Sequence, residues 1–149
     1  MKYYAAYNEL IDPDDITLRN LDFQVIGSGY FEDKVITFNS LEDKVVMNLE
    51  QINSGKAPFI LFKFDNEQEK NLDLIENTKL KNKSYEYLIY NDYDTNSKQI
   101  VKALVYTFKE SLSHKTPPLE LTKKIQNAYC LYNIPISLID DYIRFCKRK

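Results

Sequence analysis

The chain has 149 residues, 44% hydrophobic and 28% charged, with 20 basic and 22 acidic side chains and a net charge of −2. That is enough chain for one domain with a real core, residues 1–149 as a single unit, and the missing basic excess argues against a broad nucleic-acid surface. No apolar run is long enough to span a membrane, and the opening MKYYAAYNEL lacks the apolar stretch and cleavage site of a secretory leader, so the expected compartment is the cytoplasm. Two cysteines and one histidine make neither a disulfide scaffold nor a zinc site. Cys130 and Cys146 both fall in expected helices and read as reduced, core-packed thiols. Richness in Lys, Asn, Ile and Tyr points to an AT-rich bacterial or phage genome.

In chain order, KYYAAY at 2–7 predicts a first strand, with small Ala5 and Ala6 where something packs closely. Asp12 before Pro13 predicts a helix start, the helix running to about Leu18. DFQVIGSGYF at 22–31 predicts a strand bent or bulged at Gly27 and Gly29; the Gly-Ser-Gly is too short, and lacks the Lys, for a phosphate-binding loop. Glu32-Asp33 reads as a turn, Lys34–Phe38 and Val45–Glu50 as further strands, and QINSG at 51–55 as another turn. The apolar run Phe59–Phe64 predicts a buried strand. Asp65 followed by Gln68 suggests a capping box opening a short polar helix that buries Leu72 and Ile75 and stops at Glu76-Asn77.

After a Lys-rich loop at 78–84, Tyr85–Tyr90 and Gln99–Phe108 read as strands around an NDYDTN turn. Residues 109–118 form a loop whose His114 reads as solvated. One helix carries Leu121, Ile125, Ala128, Tyr129 and Tyr132 inward, and Asn133-Ile134-Pro135 ends it. A second, capped by Ser137, carries Ile139, Tyr142, Ile143 and Cys146, and its Arg144–Lys149 tail is basic, as suits a helix C-terminus. The expected class is α+β: a mixed sheet of about seven strands, curved or closed, with helices covering it.

One carboxylate stands out. Glu76 sits at the end of a helix leaving a buried strand, among apolar neighbours, and a carboxylate so placed can carry protons near neutrality. The plainer reading is an exposed helix-end Glu.

The order of these pieces resembles the γ-glutamylcyclotransferase family, also called AIG2-like, along nearly the whole chain. Family members open with a strand ending in Tyr-Gly-Ser-Asn-Leu, matched here by YYAAYNELI; a Gly-x-Gly strand follows, matched by GSGYFEDKVITF; then Leu-Asp-x-x-Glu-Gly, matched by LDLIEN at 72–77. A later strand carries a Tyr, as in QIVKALVYTF, and a Pro-containing loop precedes a helix with Ala128-Tyr129. The resemblance implies a small mixed β-barrel of about six to seven strands with flanking helices, whose cavity holds a γ-glutamyl group and releases it as 5-oxoproline without metal or cofactor. It implies Glu76 as the acid/base, Tyr7 ending the first strand at the cavity mouth, and Tyr85 in the place of a family Tyr. The family's Gly-Ser-Asn loop grips substrate with backbone amides; here it reads Asn8-Glu9-Leu10, with Asn8 taking the backbone shape Gly allows and Glu9 bringing negative charge. Asn77 replaces the Gly after the catalytic Glu, and Glu120 or Leu121 a family Tyr. A kept Glu beside a rewritten loop implies either a cyclotransferase with changed substrate, or a catalytically altered protein that uses the cavity for another small ligand or serves as a protein-interaction module.

Overall fold

The computed structural model describes residues 1–147. Its elements are β1 (Lys2–Ala6), a 3-10 turn (Glu9–Ile11), α1 (Pro13–Leu18), β2 (Gln24–Leu41), β3 (Lys44–Phe64), a 3-10 turn (Asn66–Gln68), α2 (Glu69–Glu76), β4 (Lys81–Asp92), β5 (Ser97–Phe108), α3 (Leu119–Leu131) and α4 (Ser137–Lys147). The five strands pair in the closed order β1-β3-β2-β4-β5. Neighbours are antiparallel except where β5 returns to β1, a parallel contact at Tyr4 and Leu104.

Five strands, four of them of 12 residues or more, stand where six or seven shorter ones are expected. The predicted turns at 32–33 and 51–55 are a bulge inside one hairpin: β2 and β3 pair on both sides of it, and their register shifts between Glu32 and Lys34. Asp33 and Ser54 take the left-handed backbone, with φ of 56° and 63°, and Asp33 Oδ1 accepts from the Ser54 amide. The polar residues that suggest turns therefore serve a bulge, which needs the same backbone freedom. Gly27 and Gly29 do mark a bend, with a second register shift between Val25 and Gly27. There β2 meets β4, and a Cβ on Gly27 would stand 2.2 Å from the Asn91 carbonyl oxygen.

The core fills the sheet's interior and its contacts with the helices. Ala5 and Ala6 are fully buried where β1 runs between β3 and β5, and Phe59–Phe62 of β3 are sealed on both faces. Ile125, Ala128 and Tyr129 of α3, and Ile139, Tyr142 and Cys146 of α4, are buried as their helical spacing predicts. α1 begins at Pro13, and Asp12 caps it by accepting from the Asp14 amide. Other expectations change. The Asp65 side chain makes no cap hydrogen bond; its carbonyl accepts from the Gln68 amide instead. Ser137 is the first helical residue of α4 rather than its cap, Cys130 is exposed, and Arg148 and Lys149 of the basic tail lie outside the described residues.

His114 is not solvated. Its side chain is 8% exposed, its Nε2 lies 2.8 Å from Glu50 Oε2, and its ring packs on Phe145. The reason is that residues 113–115 run against the β2 edge, bonding it at Ser40 and Phe38.

Candidate functional site

α2 presents Glu69, Asp73 and Glu76 along one face, at helical spacing i, i+4, i+7. Opposite it, β4 presents Lys81 and Lys83, two apart and therefore on one side of the strand. Lys83 pairs with Glu69 and, at 3.0 Å, with Asp73; Lys2 of β1 reaches Glu69 at 2.5 Å. Burial pushes the Glu69 carboxyl up, but hydrogen bonds from Lys2 and Lys83 outweigh it and hold it below its ordinary value.

Glu76 closes this face at its most buried end, 3% exposed. Three donors converge on it. Tyr4 OH donates to Oε2 at 2.6 Å, while Asn8 Nδ2 and Lys81 Nζ donate to Oε1 at 3.0 and 2.9 Å. Each donor is itself held. Tyr4 stacks on Phe62 inside the sheet, and burial followed by the Glu76 charge pushes its hydroxyl far up, so it stays a donor. Asn8 Oδ1 caps the first 3-10 turn by accepting from the Leu10 amide, which leaves its amide nitrogen turned to Glu76. Lys81 Nζ lies 4.8 Å from the centre of the Phe108 ring. A carboxylate offers about four acceptor positions. Oε1 is filled and Oε2 keeps one.

Asn77 ends α2 in the left-handed region, φ 66° and ψ 75°, with its amide on the Asp73 carbonyl. Asn tolerates that shape where other side chains resist it. This termination turns the chain sharply enough to bring Lys81, five residues on, back against Glu76.

Glu76 and Lys81 line a cleft of about 290 Å³ with Asn8, Glu9, Leu10 and Asn77. Apolar Met47, Val46 and Phe108 also line it, and exposed Arg19 and Lys44 contribute charge. Asn8, Glu9, Leu10 and Glu76 of the expected site therefore come together. Asn8 does so with extended backbone, φ −100°, and not in the shape Gly allows. Tyr7 is a core residue, 2% exposed; its hydroxyl donates to the Tyr106 carbonyl at 2.5 Å. Tyr85 is 46% exposed near the Glu69 end of α2, beside Lys2, and does not line the cleft. Glu120 and Leu121 open α3 and are outside it too. Tyr4 and Lys81 were not singled out by sequence. The available signal was the charge pattern, Lys81 and Lys83 at strand spacing against three acids at helical spacing.

No protein-family model and no curated protein matches the chain. Solved structures do. A γ-glutamyl cyclotransferase superposes with a TM-score of 0.78 at 13% identity, over 95% of this chain and 85% of that one. An uncharacterised protein from Homo sapiens gives 0.76 at 14% identity, with the same coverage. YkqA from Bacillus subtilis gives 0.76 at 16% identity over 98% of this chain, which spans only 54% of YkqA. The fold is thus the γ-glutamyl cyclotransferase-like one, and the mixed α+β architecture is shared with these structures.

Proposed function

We propose that the protein is a cytoplasmic cyclotransferase that acts by internal aminolysis: the amino group of a γ-glutamyl compound attacks its own side-chain amide, closing 5-oxoproline and expelling an amine or amino acid. The observation that carries this reading is the buried Glu76 carboxylate, held by three donors at a residue that lines a cleft. The Glu76 carboxylate receives a proton from the attacking ammonium. The freed amine adds to the carbonyl and sheds a second proton as it becomes the ring amide, and both protons pass to the departing nitrogen, which leaves as an ammonium. Because attacking and leaving groups belong to one molecule, the cleft's main task is to hold the substrate folded back on itself, and no metal or cofactor is required.

The Glu76–Lys81 ion pair favours a second reading. A charge already matched by a buried lysine serves as an anchor in a protein that binds a small ligand, or docks a protein, without turning anything over. The deciding experiment measures 5-oxoproline release from γ-glutamyl amino acids, γ-glutamyl amines and glutathione, with Glu76→Gln as control. Release abolished in the control supports catalysis. No release from a cooperatively melting wild type supports the binding reading.

A further inference from the structure

Glu9 is the carboxylate in the cleft that is left without a partner. It is half-buried, it lines the cleft beside Glu76, and among the described residues its carboxylate has no hydrogen bond and no ion pair. Two cations act on it through space, Lys124 and Lys81. Both are committed elsewhere, Lys124 to Asp15 at 2.6 Å and Lys81 to Glu76 at 2.9 Å. In the immediate surroundings of Glu9, counting itself, three carboxylates thus meet two ammonium groups, and the carboxylate without a partner is the one on the cleft wall. Burial first, then Asp15 and Glu76, pushes the Glu9 carboxyl up against the pull of Lys124 and Lys81. Arg19 and Lys44 also line the cleft, but both are exposed and screened by water and salt, and neither is among the charges that act on Glu9.

A ligand entering this cleft gains by bringing a cation to Glu9 and loses by bringing an anion. We infer that the cleft prefers a primary ammonium with no carboxylate beside it: its best ligand is a 4-aminoacyl amide, and Glu9 is the residue that ranks the α-carboxylated, γ-glutamyl counterpart below it while still admitting it. This deepens the internal-aminolysis reading and rests on it for turnover. The ammonium of the 4-aminoacyl chain loses one proton to Glu76 and attacks the amide carbonyl, forming the lactam C–N bond; the bond to the leaving nitrogen breaks; that proton, and the second one the ring nitrogen sheds as it becomes an amide, both pass through Glu76 to the leaving nitrogen. The products are 2-pyrrolidone and an alkylammonium, and no oxidant or reductant enters.

Two compounds that differ only in the α-carboxylate make the test: N-methyl-4-aminobutanamide and γ-glutamylmethylamide. Lactam release and calorimetric binding are measured for each with wild type, Glu9→Gln and Glu9→Ala. The wild type is expected to favour the carboxylate-free compound at least about tenfold, by kcat/KM and by Kd, and both variants to bring the ratio close to one. A wild-type preference for γ-glutamylmethylamide, or a ratio the variants leave unchanged, overturns the inference while leaving the cyclotransferase reading intact. No lactam from either compound, with Glu9-dependent tighter binding of the carboxylate-free one, retires the cyclotransferase reading and upholds the ligand assignment. Absence of both turnover and selective binding overturns both. Since the Glu9 side chain bonds to nothing, either variant is expected to melt cooperatively, and a thermal scan checks this.

Discussion

Lys81 Nζ lies 2.9 Å from Glu76 Oε1, with both side chains under a tenth exposed, and the two residues are joined by a turn of four. Removing one partner of such a pair strands the other's charge, at a cost of about 3 kcal/mol or more. Lys81→Met is therefore expected to lower stability by about that much in urea unfolding. Lys81→Met combined with Glu76→Gln is expected to regain most of the loss, because no lone charge remains. Equal stabilities for the single and double variants would contradict this.

Asn77 makes that pair possible by ending α2 with φ at 66°. Glycine enters this region freely, and alanine pays about 1 kcal/mol. Asn77→Gly is expected to match the wild type closely, and Asn77→Ala to lose about 1 kcal/mol in the same unfolding experiment. A loss in both variants would mean that the asparagine side chain, rather than its backbone, is what matters.

Glu9 gives a pH signature. Its carboxyl is raised in the fold, chiefly by burial. A raised value means the folded state prefers the protonated form, so its contribution is fully present below the ordinary glutamate value of about 4.3 and is lost as pH rises through the folded value. Glu9→Gln mimics the protonated form at every pH. It is expected to melt above the wild type at pH 7, with the gap closing as pH falls toward 4. A constant gap would show that charge is not the cause.

The sequence carried some of this plainly and some not at all. The run Phe59–Phe64 reads as a buried strand because every residue but Lys63 is apolar, and Ile125, Ala128 and Tyr129 mark an inward helix face because their spacing is local. Glu76 was legible as a helix-end carboxylate after a buried strand. The hand on its other side was not. Lys81 looks like one lysine in a polar loop until β4 is known to begin there, and Tyr4 looks like any strand tyrosine until α2 is known to lie over β1. Both depend on long-range register, which no local pattern encodes. The same holds for Asp33 and Ser54. Turn-forming residues announce left-handed backbone, but a turn and a bulge demand it alike, and only pairing across β2 and β3 tells them apart.

His114 and Glu50 show what that register builds away from the cleft. Glu50 is pushed up by burial, yet hydrogen bonds from Thr37, His114 and Asn39 outweigh this and hold its carboxyl below the ordinary value. Asn39 Nδ2 also donates to the Leu112 carbonyl at 3.2 Å, so one cluster ties the segment before α3 to the sheet. Replacing His114 by Ala deprives a part-buried acceptor of its donor, with an expected cost of about 1–3 kcal/mol at pH 7. The sign with pH follows from the lowered value. Stability from Glu50 is present above the unfolded-state value and is lost as pH falls through the folded one. The wild type is therefore expected to lose more stability than His114→Ala between pH 5 and about 3, so the two unfolding curves converge on acidification. If the gap between them widens toward acid instead, Glu50 is not the partner through which His114 holds the segment.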